Sequence, residues 1–150
     1  MAFDRVFVDT WAWLVLANNH DPAFSAVTQM RTDAADQIGA WVTTDYVLGE
    51  TITRLFAATH FAEACRFVEG IFEASRLGRV DIEPITSERF TRAFQLRLRY
   101  HDKPRISFTD LTSFVVMREL GIRHALTADR HFDQAGMAFI RLPQSVPQVQ

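Results

Sequence analysis

Four carboxylates, Asp9, Glu50, Asp110 and Asp129, stand where strand-like and helical runs begin or end. Grouping them would be costly. Two like charges about 4 Å apart repel by roughly 4 kcal/mol at an intermediate dielectric. Such a group takes up protons or binds a cation. An all-oxygen donor set selects hard ions, magnesium or manganese. Those ions orient a water, promote its ionisation and offset charge on a phosphate, which is the chemistry of phosphodiester hydrolysis. They also let an acidic pocket receive a polyanion. Taken singly, each acid has a plainer explanation. Asp9 could cap the helix behind it. Glu50 could pair with Arg54 one turn on, worth about 0.3 kcal/mol. Asp110 suits the first turn of a helix, where the dipole favours negative charge. Asp129 could be a turn residue. The joint pattern, not any one acid, points to chemistry.

The elements that must position these acids can be read from apolar spacing. The run from Arg5 to Val8 is short, apolar and β-branched, as a central parallel strand requires. Asp21-Pro22 opens a helix to about Ala35. Trp41 to Thr43 is a second strand, and Thr44 or Asp45 caps a helix to about Thr59. Phe61, Ala64, Cys65, Val68, Ile71, Phe72 and Ser75 mark one face of a further helix, stopped by Gly78. Cys65 is expected in the core. Val80 to Ile82 alternates as an edge strand would. Phe90, Phe94 and Leu98 mark the core face of a helix from Ser87 to Tyr100. Ser107 to Asp110 resembles a capping box and opens a helix to Leu120, ended by Gly121. His124 to Thr127 and Ala138 to Arg141 are short strands. Strands alternating with helices imply βαβ units and a parallel sheet covered on both faces. Ligands of such sheets sit beyond the carboxyl ends of the strands. Asp9 and Asp129 both follow strands there.

The bulk properties bound the rest. The chain has 150 residues, 48% hydrophobic and 23% charged, which suits one domain. We expect that domain to span residues 1–142, with a Pro- and Gln-containing tail over 143–150. The formal net charge of -2 excludes a binder that relies on overall basicity. The absence of a leader-like start, of a membrane-length apolar run and of a cysteine pair points to the cytoplasm and away from a membrane.

Val8-Asp9-Thr10, Tyr46 to Thr51, Ser107 to Asp110, and Leu126-Thr-Ala-Asp129-Arg-His131-Phe132 together resemble the PIN domain family, particularly the VapC-type toxins of bacterial toxin–antitoxin pairs. The resemblance runs from Phe7 to about Leu142. It implies a three-layer α/β/α sandwich with a mainly parallel sheet. It further implies an endoribonuclease using Mg2+ or Mn2+, whose acidic positions fall on Asp9, Glu50, Asp110 and Asp129. Asp9 and Asp110 are the expected direct ligands, Asp129 binds directly or through water, and Glu50 orients a water. Many relatives carry a further acid two residues after the fourth, where this chain has His131. His131 would touch the phosphate or a water, or pack near Phe132. A toxin implies an antitoxin protein that fills the groove, and the family favours homodimers.

Other residues stand beside the acids. Thr10, Thr109 and Thr127 have hydroxyls that could support a carboxylate or phosphate, or cap backbone. Arg97, Arg99, Lys103 and Arg105 could guide an RNA backbone or form a solvated helix end. Trp11 and Trp13 suit core or dimer packing better than base stacking. Besides a phosphate-receiving signalling domain, which would want adjacent acids near the start of the chain and a suitably placed Lys, two competing readings remain. One is a non-catalytic PIN-like module that binds RNA or protein. The other is a phosphatase with Asp9 as nucleophile, which would want an Asp where Trp11 stands.

Overall fold

The computed structural model describes residues 5–144. Within them, five short strands form one sheet: β1 (Val6–Val8), β2 (Trp41–Thr44), β3 (Val80–Glu83), β4 (His124–Leu126) and β5 (Ile140–Leu142). Their order is β3-β2-β1-β4-β5, and every pairing is parallel. The helices are α1 (Thr10–Leu16), α2 (Phe24–Ala34), α3 (Asp45–Ala58), α4 (Phe61–Arg76), α5 (Ser87–Arg99), α6 (Phe108–Leu120) and α7 (His131–Gln134). The chain steps from β1 to β2 to β3, then crosses back over the sheet to β4. Right-handed crossovers therefore put α1 to α4 on one face and α5 to α7 on the other, the expected α/β/α sandwich. Residues 145–150 of the expected tail lie outside the described residues.

The central strand is buried on both faces, as its composition requires: Phe7 and Val8 are fully buried. Local signals set most boundaries. The Thr44 hydroxyl accepts from Val47 N at 3.0 Å and starts α3. The Ser107 hydroxyl accepts from Asp110 N at 3.0 Å and starts α6. Gly121 ends α6 with φ 68°, a left-handed conformation that glycine adopts without strain. The Asp21-Pro22 signal acts earlier than expected. Asp21 accepts from Ala23 N at 2.8 Å in a turn, and α2 begins only at Phe24.

The face of α5 corrects the sequence reading. Phe90, Phe94 and Leu98 are 47%, 51% and 59% exposed. Ala93 and Leu96 are buried in their place, with Tyr100 beyond the helix end. The i, i+4, i+8 stripe is the bulkier one, but α5 packs against α6 with the smaller Ala93 and Leu96 buried. Phe61 and Phe72 of α4 are likewise 74% and 51% exposed, and Cys65 is only half-buried. The inward face of α4 is Ala64, Val68 and Ile71.

Beneath the carboxyl edge of β4, Phe132 and Phe114 meet edge to face with centroids 5.0 Å apart, both wholly buried. Phe132→Ala should therefore cost about 3–5 kcal/mol, read by denaturant unfolding. A loss under about 1 kcal/mol would show that α7 is not anchored by this ring.

Candidate metal centre

The sheet order places a topological switch between β1 and β4, because the chain leaves these neighbours in opposite directions. Val8 pairs with Leu126, and Asp9 N donates to Leu126 O at 3.2 Å. Asp9 and Thr127 therefore emerge side by side. The Thr127 hydroxyl donates to Asp9 Oδ2 at 2.7 Å and accepts from Asp129 N at 3.0 Å. One buried threonine thus orients one acid and fixes the backbone of another. Asp9 occupies the N-cap position of α1, yet its side chain makes no capping bond. Its carboxylate is directed to the site instead, which answers the plainer explanation for that residue.

Asp110 arrives from the first turn of α6, held by the Ser107 cap, and is 6% exposed. Asp129 Oδ1 accepts from His131 N at 2.8 Å, so its turn role is real and coexists with its place in the cluster. His131 Nδ1 lies 3.2 Å from Asp110 Oδ2 and 3.2 Å from Asp129 Oδ1. Glu50 is exposed and stands 3.9 Å from Arg54, a loose ion pair across one turn of α3. Its charge still acts on both Asp9 and Asp110.

The electrostatics are those of an under-compensated acidic pocket. Burial pushes the Asp9 carboxyl up to about 6, against the Thr127 hydroxyl and the Thr10 backbone, which favour the charged form. Burial, then the charges of Asp9 and Asp129, push Asp110 up to about 8. Near neutral pH such a pocket holds a proton or takes a cation in its place. Asp110, Asp129 and His131 offer donor atoms all within 4.8 Å of one another. The donor set fits a divalent cation, with nitrogen present beside carboxylate oxygen.

The remaining candidates divide. Thr127 is tied into the site as described. Thr10 Oγ1 is buried with no hydrogen-bond partner. Thr109 contributes its carbonyl, which accepts from the hydroxyls of Thr112 and Ser113. Of the basic stretch, Arg97 is structural, donating to the carbonyls of Tyr100, Lys103 and Ile106. Lys103 pairs with Asp102 at 3.2 Å, and Arg105 is exposed just before α6. Trp13 is core, its indole donating to Thr43 Oγ1 at 3.3 Å and its ring edge-on to Trp41 at 5.8 Å. The contact of His131 with two acids was left open by the sequence. Its spacing of two residues from Asp129 was the only signal.

Thr127→Val keeps the shape and removes the hydroxyl. We expect divalent-cation affinity to fall roughly 10–100-fold, the scale for groups that orient metal ligands. Titration calorimetry with Mn2+ measures it, and an unchanged affinity would make the hydroxyl purely structural.

Comparisons with known proteins bear on this arrangement. Residues 6–137 match the family described as PIN domain. The 23S rRNA-specific endonuclease VapC20 from two strains of Mycobacterium tuberculosis is 32% identical over 138 residues, covering 91% of this chain and 98% of that protein. The crystal structure of M. tuberculosis VapC20, described as a sarcin-ricin loop cleaving toxin, superposes with a TM-score of 0.72 at 32% identity, covering 90% of this chain and 96% of that one.

Proposed function

Because the chain belongs to the PIN domain family, we propose that it is a metal-dependent endoribonuclease and the toxin of a toxin–antitoxin pair. The observation that carries this reading is the convergence of Asp9, Asp110 and Asp129 at the β1/β4 switch, beside a similarity to VapC20 that spans nearly both chains. Asp9, Asp110 and Asp129 hold the cation, Mg2+ or Mn2+, with Glu50 at the exposed rim. A cation bound there supplies charge stabilisation to the phosphate and lowers the pKa of water. The chain's own residues do the rest. Thr127 keeps the Asp9 carboxylate in one orientation. Ser107 and the α6 start keep Asp110 facing the pocket. Glu50, free of burial, orients the attacking water and accepts its proton.

RNA is the substrate. Lys103 and Arg105 contact its backbone on the approach to Asp110. Reversing both charges should weaken RNA binding and flatten its salt dependence, since each lost phosphate contact lowers the slope by about one. An unchanged slope by filter binding would remove them from the RNA path. The partner is an antitoxin protein that covers the acidic groove, and the chain pairs as a homodimer in the cytoplasm. No helix among the described residues is long and apolar enough to cross a membrane.

The presence of the four acids favours an enzyme over a non-catalytic module. Incubating a mixed pool of structured and unstructured RNAs with the protein and Mg2+, Mn2+ or chelator tests the proposal. Cleavage that chelator abolishes supports it. Cation-bound, folded protein that cuts no RNA in the pool, including 23S rRNA, would favour the binding module.

A further inference from the structure

His131 follows Asp129 by two residues, and its ring faces the acidic pocket. Its Nδ1 lies 3.2 Å from Asp110 Oδ2 and 3.2 Å from Asp129 Oδ1. Two independent constraints hold it there. Its backbone N donates to Asp129 Oδ1 at 2.8 Å, and the next residue, Phe132, is wholly buried against Phe114. The ring is one-quarter exposed by side-chain area (25%), so it faces the pocket without being sealed from solvent. Nδ1 makes its hydrogen-bond contact with Asp110 Oδ2, the Asp129 carboxylate lies at the same distance, and a cation held in place of the hydrogen would be offered one nitrogen beside carboxylate oxygens. All three donor atoms lie within 4.8 Å of one another.

We propose that His131 is a direct nitrogen ligand that biases this site toward Mn2+ and other first-row transition ions over Mg2+. The inference rests on the metal-dependent reading given above and adds to it the identity of the preferred ion. Mg2+ takes oxygen donors in a strict octahedron and keeps most of its waters. Imidazole suits transition ions, whose affinity for nitrogen-containing sites rises along the first row. An Asp at 131 would leave an all-oxygen site with one more negative charge, open to either ion. The histidine spends that position on selectivity.

The test is made on full-length, metal-free protein without RNA. Mn2+ is added, and pulsed electron paramagnetic resonance reads nitrogen coupling to the bound ion. Mg2+ competition gives the preference. Wild-type protein should show one directly coordinated nitrogen. His131→Asp should lose that coupling and shift the Mn2+/Mg2+ preference at least about tenfold toward Mg2+, since even partners behind a ligand shift affinity by that much. His131→Asn, which keeps charge neutral, should lose the coupling as well, and guards against a misfolded Asp variant. Bound Mn2+ without nitrogen coupling in the wild type overturns the inference and leaves the nuclease reading standing. So does a preference that His131→Asp leaves unchanged. Failure to bind any Mn2+ overturns both.

Discussion

An Asp9→Asn protein should lose cation-dependent RNA cleavage by at least a hundredfold while keeping its fold. The carboxylate is almost fully buried, sits at the end of the central strand and is oriented by Thr127 at 2.7 Å. A cation's stabilisation of developing phosphate charge is worth several kcal/mol, and each 1.4 kcal/mol is about tenfold in rate. Asparagine preserves the shape and can still accept the threonine hydrogen bond, so the loss reads charge and not packing. The comparison is single-turnover cleavage with Mg2+ or Mn2+, with circular dichroism and thermal melting as the control for folding. Cleavage within a few-fold of wild type would show that the buried carboxylate is not part of the reaction.

Asp110→Asn should do the opposite to the stability of the metal-free protein. Asp110 is held up near 8, and Asp9 near 6, chiefly by burial. Between the ordinary carboxyl value of 3.8 and these values, the native chain binds more protons than the unfolded one. Stability attributable to the pair is therefore full below about pH 4 and declines as pH rises toward 8. Removing the Asp110 charge should raise stability at pH 8 by on the order of 2 kcal/mol and change little at pH 4. At about 2–4 °C per kcal/mol, that is a rise of several degrees in melting temperature. In wild type, a divalent cation at a hundred times its Kd should recover about 2.7 kcal/mol at pH 8. Its effect should shrink as pH falls and protons compete. A melting temperature for Asp110→Asn equal to or below wild type at pH 8, without metal, would mean that the carboxylate is not strained in the empty pocket.

Much of this was legible because the signals are local or are forced by burial on both faces. Val6 to Val8 could only be an inner strand. Ser107 and Gly121 bracket α6 by hydrogen bonding and left-handed geometry, which any sequence reading can find. The acids were legible through their position relative to strand ends, together with the family resemblance. What escaped was decided by tertiary packing. The inward face of α5 is set by its packing on α6, which buries Ala93 and Leu96, and the bulk of Phe90, Phe94 and Leu98 gave the wrong face. Asp21-Pro22 carries cap chemistry, yet the hydrogen bond it makes is spent in the turn before α2. The place of His131 depends on a turn at Asp129 and on Asp110 in the first turn of α6, 21 residues away along the chain. No local pattern encodes that meeting.

The pairing of β1 with β4 also has a consequence during synthesis. Thr127 and Asp9 are separated by 118 residues, yet they share a hydrogen bond at the heart of the pocket. A nascent chain emerges amino terminus first. Asp9, Glu50 and Asp110 are all translated before β4, which must slot in beside β1 before Asp129 and His131 can join them. Until that late, non-local pairing forms, the growing chain holds its acids without the edge that gathers them. Such contacts are slow to form, because loop closure precedes their reward. A chain wired this way cannot gather its four acids and His131 at one edge until β4 has docked beside β1.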